Sequence, residues 1–297
     1  MKTWDAAQKK IRRRSPAEVI ESLSVESPFV FDPVEDVSDI PEFLDEFWDS
    51  FGSSADQLVD IPGRDVAYVR DTLIALSKFK HVLWCAEERR AAGSLTWALV
   101  DAYHAAFLGV RVLIALHGVH TYSVRGRAVL VDFAPGLGGI NDQKTFRQEA
   151  KGLLSPVRLL RPTKEKIDQA ETWGFVTRLC DVSSLDKESI EWACLSNLRT
   201  LAERKLSHVR NKIIYDSSYW TWRSDFSSAV LSEPQLGEMF VAPDDHVANL
   251  LKALEQVWNT CDRLSLPLVQ ELSVEVDVFK APEGSDSYKI FAANAAF

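Results

Sequence analysis

The chain has 297 residues, of which 46% are apolar and 26% charged, with nine Trp and fifteen Phe. That is enough material for a sizeable core, and it excludes a disordered or fibrous chain. The net charge of −9 excludes a uniformly basic nucleic-acid binder.

The charge is unevenly placed. Residues 1–14 carry six basic side chains (Lys2, Lys9, Lys10, Arg12, Arg13 and Arg14) against Asp5. From 15 to 63 there is no Lys or Arg, while thirteen acids fall between Glu18 and Asp60. This acidic segment 15–63 either covers a basic protein partner or folds back on the basic arm as a solvated face. It also carries Phe29, Phe31, Phe43, Phe47, Trp48 and Phe51, which a purely solvating tail would not need.

In chain order, residues 3–13 read as a short basic helix with Trp4, Ala7 and Ile11 on one side. Pro28, Pro33 and Pro41 interrupt the next stretch, and a short helix runs from 38 to 51. A helix over 65–78 follows the Pro62-Gly63 break. The strongest helical pattern spans 94–118, through Leu95, Leu99, Ala102, Ala106, Leu113 and Leu116. Two short strands at 121–124 and 128–133 are joined by Arg125-Gly126-Arg127. The glycine-rich loop 135–139 lacks the trailing Lys-Ser/Thr of a phosphate loop and reads as a connection. Helices are expected at 142–153, 164–180, 187–216 and 246–264, then an alternating strand at 268–279 and a loose tail.

The expectation is a mainly α fold with a small β-hairpin insertion. Its parts are a basic and acidic N-terminal extension (1–63), a helical domain (64–264) and a C-terminal strand and tail (265–297). No apolar run reaches the roughly 18–20 residues of a bilayer span. The best stretch, 97–119, is broken by Asp101, His104 and Arg111. The four cysteines stand far apart with no CxxC pair, and the N-terminus has no signal-peptide core. A cytoplasmic protein without membrane contact, cofactor or metal is therefore expected. His117-x-x-His120 and His81 with Cys85 lack the further ligands that a metal site needs.

Two helices carry the candidate chemistry. On the helix over 94–118, Asp101, His104 and Arg111 form one polar stripe on an otherwise apolar cylinder. Such a stripe faces a cleft, a partner helix or solvent. The later helix ends in His208-Val-Arg210-Asn211-Lys-Ile-Ile-Tyr215-Asp216. Tyr103-His104-Ala-Ala-Phe107 with Arg111, followed by this Arg210-Asn211 stretch, resembles the HEPN superfamily over residues 65–220.

The resemblance implies a HEPN-like helical bundle, a homodimer, and metal-independent cleavage of RNA in a bacterial defence or toxin–antitoxin setting. In that chemistry an Arg stabilises charge on the scissile phosphate and a His moves a proton. It places Arg210 and Asn211 at the phosphate, with His104 and Tyr215 completing the catalytic set, and Asp101, Arg111 and His208 as substrate contacts. The chain departs from the pattern at one point: Tyr215 stands where the family carries its His. A phenol of ordinary pKa near 10 is a poor base at neutral pH. His208 shares a helix face with Asn211 and Tyr215, and His104 is an imidazole on another helix. Two outcomes stay open: a ribonuclease rescued by another His, or a degenerate module that binds RNA, a nucleotide or a protein.

Overall fold

The computed structural model describes residues 10–32, 36–51, 56–160, 169–202, 206, 211 and 245–276. The helices are α1 (Pro16–Glu21), α2 (Ile40–Glu46), α3 (Arg64–Ala91), α4 (Leu95–Leu116), α5 (Ile140–Glu149), α6 (Gln169–Val182), α7 (Ile190–Ala202) and α8 (Asp245–Glu271). The strands are β1 (Val30–Phe31), β2 (Asp56–Asp60), β3 (Val119–Val124), β4 (Arg127–Asp132), β5 (Pro156–Leu160) and β6 (Glu275–Val276). The protein is mainly helical with a small antiparallel sheet, as its composition and periodicity lead one to expect.

Helix α4 is the axis of the core. It packs along α3 and also meets α8, α6 and β3. Leu99, Tyr103, Ala106, Val110, Leu113 and Leu116 are all fully buried, so its nearly all-round apolar surface is satisfied by neighbours. By length and hydropathy the segment Thr96–Leu116 is apolar enough to cross a membrane, but 72% of its most apolar window is buried inside the protein. Gly109 permits the α4–α8 crossing. A methyl group there would meet Val257 Cγ1 at 2.1 Å, and the Cys261 thiol donates to the Gly109 carbonyl at 3.3 Å.

The expected hairpin is half of a larger sheet with strand order β2-β5-β4-β3. Arg125 (φ 47°) and Gly126 (φ 75°) make its two-residue turn, with Val124 paired to Arg127. Two consecutive left-handed residues match the strand twist. The other two strands give no strong pattern of their own: β2 is five residues between acids, and β5 alternates only weakly.

Three further expectations are corrected. The helix expected at 65–78 continues to Ala91, because no breaker occurs before Gly93. The strand expected at 268–279 is helical up to Glu271, since Leu264, Leu268 and Leu272 recur at four-residue spacing and all are buried. Only Glu275–Val276 is extended there, pairing in parallel with Val30–Phe31. Of the basic helix read over 3–13, residues 1–9 lie outside the described residues, and the backbone from Lys10 is turn and bridge.

The N-terminal segments share the main core. Ile11, Val19, Ile20, Phe31, Ile40 and Leu44 belong to the same buried cluster as α3 and α4. Helix α1 begins with a capping box between Ser15 and Glu18 and with Pro16 in its first turn. Many acids of 15–63 meet cations of the chain itself: Asp36 and Asp39 meet Arg70, Asp45 and Asp49 meet Arg125, and Asp56 meets Lys10 and Arg158.

Candidate functional site

A cleft of about 370 Å³ opens where α3, α4, β3 and the start of α2 converge. Helix α3 contributes Asp71, Ile74, Ala75 and Lys78 from one face, and α4 contributes Leu108, Arg111 and Ile114. Strand β3 adds His120 and Tyr122 from one side of its pleat, and Ser38 comes from the approach to α2.

Asp71 is the most constrained of these groups. It is only 6% exposed, and its Oδ2 accepts hydrogen bonds from Ser38 Oγ at 2.6 Å and from the Tyr122 hydroxyl. Its Oδ1 is buried with no hydrogen-bond partner. Burial pushes the Asp71 carboxyl pKa up, while the two hydroxyl donors and the nearby Arg70 pull it back. Burial also raises the Tyr122 phenol well above its ordinary value, with the Asp71 charge adding to the effect. Tyr122 is therefore a donor at neutral pH.

Behind this pair lie neutral histidines. His120 Nε2 is 3.0 Å from Thr72 Oγ1, and burial drives its pKa down to about 3, with Arg111 adding to the shift. Its ring stacks on Tyr122 with centroids 5.9 Å apart. His117 is completely buried, with Nδ1 2.8 Å from the Leu113 carbonyl and a pKa pushed down to about 4. Both are packing groups.

The cations are placed differently. Arg111 stands exposed at the cleft rim, and its Nη2 donates to Thr121 O at 3.1 Å and to Thr121 Oγ1 at 3.2 Å. Desolvation of the guanidinium lowers its pKa, and Tyr122 opposes that shift. Among the described residues neither Arg111 nor Lys78 has a carboxylate within ion-pair distance. Arg70, by contrast, is held by Asp36 and Asp39.

Of the residues singled out from sequence, Arg111 lies on this cleft. Asp101 sits ten residues earlier on α4, about 15 Å along the axis at 1.5 Å per residue. It pairs with Arg89 at 2.7 Å. His104 is half-buried beside Tyr103, with ring centroids 5.8 Å apart. The stripe is therefore divided, with Arg111 on the cleft and Asp101 paired to Arg89 of α3, while His104 does not line the cleft. Asn211 is exposed, while His208, Arg210 and Tyr215 lie outside the described residues.

Sequence reading missed Asp71, Tyr122, Ser38 and Lys78. The available signal was Asp71 and Lys78 at i and i+7, two charges on one helix face with the small Ala75 between them, beside the buried Tyr68 and Thr72. Among the described residues no three His, Cys, Asp or Glu come together.

The fold and site define a mainly helical protein with a small antiparallel sheet and a mixed-charge cleft at one end of its central helix. In comparisons with known proteins the chain matches no family model, no curated protein and no solved structure.

Proposed function

We propose that this protein is a HEPN-like, RNA-directed module of bacterial defence type that binds a nucleotide or an RNA segment in the α3–α4–β3 cleft without cleaving it. The observation that carries the reading is the unequal pairing of charge there. Arg111 and Lys78 keep their positive charge unneutralised among the described residues, on a cleft that also carries the buried Asp71 and the Tyr122 hydroxyl. Unpaired cations next to an apolar wall suit a phosphate, and a convergent polar set in a small cleft suits the rest of a nucleotide. The sequence motif around Arg210 and Asn211 supports the RNA direction, and Tyr215 in place of a His supports binding over cleavage.

Homodimer formation and a cytoplasmic location belong to the same proposal. Free Cys85, Cys180, Cys194 and Cys261 support a reducing compartment. The acidic segment 15–63 spends much of its charge on the chain's own arginines, which supports an internal role over a basic partner.

The test is fluorescence anisotropy of the full chain with labelled single-stranded RNA and labelled nucleotide, in EDTA. The expected result is saturable, salt-sensitive binding that Arg111→Gln weakens by about tenfold or more, with the RNA intact on a gel. Absence of binding overturns the proposal. Cleavage that disappears in Arg210→Ala replaces it with the endoribonuclease reading.

A further inference from the structure

We infer that the cleft takes a nucleotide by a terminal phosphate, the monoester of a free nucleotide or of an RNA strand end, and not by an internal diester; this rests on the nucleotide-binding reading above. Two carboxylates line the cleft, and both are engaged within the protein. Asp36 pairs with Arg70, and Asp71 is buried with the hydroxyls of Ser38 and Tyr122 upon it. Arg111 and Lys78 are exposed on the same lining, beyond ion-pair distance of any carboxylate among the described residues. The two cations also stand close together. Helices α3 and α4 pack side by side and are joined by the short connection between Ala91 and Leu95, so they run antiparallel. Lys78 lies thirteen residues before Ala91 and Arg111 sixteen after Leu95, which puts them about one turn, or about 5 Å, apart along the helix axes.

Arg111 is held in position before any ligand arrives. Its Nη2 donates to Thr121 O and Thr121 Oγ1, while the N–H groups of Nε and Nη1 have no partner among the described residues. A guanidinium fixed in this way gives up little freedom when an oxyanion meets its remaining donors. The two kinds of phosphate differ in what they bring to such a site. A monoester carries about 1.5 to 2 negative charges at pH 7 on three terminal oxygens, whereas each diester linkage carries one charge. Two uncompensated cations a turn apart match the monoester. Ile74 and Leu108 supply an apolar wall for the ring, and a cavity of about 370 Å³ accommodates one nucleotide and not a run of bases. A strand end fits that space, since an internal nucleotide has to lead the chain both in and out.

The test has two arms, both with the full chain in EDTA. Calorimetry compares adenosine 5′-monophosphate and adenosine 3′-monophosphate with adenosine. Fluorescence anisotropy compares an internally labelled short single strand of RNA bearing a 5′-phosphate, a 3′-phosphate or hydroxyls at both ends. A phosphorylated form is expected to bind about tenfold or more tightly than the unphosphorylated one. A preference confined to one arm names the source of the phosphate, free nucleotide or strand end. Lys78→Gln and Arg111→Gln are each expected to cut the preference severalfold, and the charge-keeping Lys78→Arg to retain it. The wild-type comparison needs no variant, so the inference stays testable even if a substitution disturbs the fold. Equal affinity with and without the end phosphate, or affinity that climbs with strand length alone, overturns the end reading and leaves the nucleotide-binding proposal standing. No binding of any of these probes overturns both.

Discussion

Arg14 closes a bidentate ion pair on Asp132 across 118 residues of chain, with Nη1–Oδ1 at 2.7 Å and Nη2–Oδ2 at 2.9 Å. Both side chains are excluded from solvent, and Arg14 Nη1 also donates to the Ala134 carbonyl at 2.7 Å. Its backbone joins Val182 and Ser184 at the end of α6. The last residue of the basic arm is thus a tie between the N-terminal segment, the end of β4 and the end of α6. It is lost to any polyanion.

Removing one partner of this pair leaves a buried, uncompensated charge. Arg14→Ala is therefore expected to destabilise the protein by about 3–5 kcal/mol, read as a lowered urea midpoint. An Arg14→Met, Asp132→Leu double variant removes both charges and should recover most of that loss. A double variant as unstable as the single would show that shape, and not charge, sets the cost.

The α4–α8 crossing makes an equally specific claim. Gly109→Ala adds a methyl group where Val257 Cγ1 stands 2.1 Å away. Overpacking of this kind costs about 1–3 kcal/mol. Trimming the obstruction with Val257→Ala should make Gly109→Ala less costly than in the parent, a coupling that a double-mutant cycle in thermal unfolding measures directly.

These contacts show which parts of the molecule were legible in the sequence. Helix α4 could be read because its apolar positions repeat all round and it is terminated at Gly118. The β3–β4 turn could be read because Arg125-Gly126 is local chemistry. Strands β2 and β5 could not, since each is five residues long and their pairing is non-local. The candidate site divided the same way. Arg111 was visible as a charge on an apolar helix, whereas Asp71, Tyr122 and Ser38 come from separate elements. Nothing in their spacing announces that one carboxylate oxygen takes both hydroxyls. Arg14 shows the opposite failure: the sequence shows only one more charge at the end of a basic run, and only long-range packing reveals that it is buried.

The Tyr122 hydroxyl supplies one of the two donors that hold Asp71 in place. Tyr122→Phe keeps the ring stack on His120 and removes only that donor. Stability is expected to fall by about 1–3 kcal/mol, the cost of a buried polar partner left unmade, as measured by urea unfolding at pH 7. Ser38→Ala removes the other donor, and the double variant with Tyr122→Phe should cost more than the sum of the two single variants, because Asp71 then loses both partners. Strict additivity of the two would show that they do not act through a shared carboxylate.

Acid sensitivity follows from His117 and His120. Their folded-state pKa values, about 4 and about 3, lie below the ordinary 6.5, so both stay neutral in the folded protein while the unfolded chain takes up protons. Stability is therefore fully present above pH 6.5. It falls with pH until the folded protein itself protonates, near pH 4 for His117 and near pH 3 for His120. Asp71 works the other way: its raised pKa means that protonation on acidification relieves a burial penalty, which offsets part of the loss at the acid end. The urea midpoint should accordingly fall from pH 7 to pH 5, the window in which the two histidines act, with protonation of Asp71 opposing the fall. His120→Gln removes one titrating group and keeps a polar side chain near Thr72, so it should flatten that slope whatever it does to the midpoint at pH 7. A slope unchanged in both His117→Gln and His120→Gln would mean that neither imidazole is held neutral by burial.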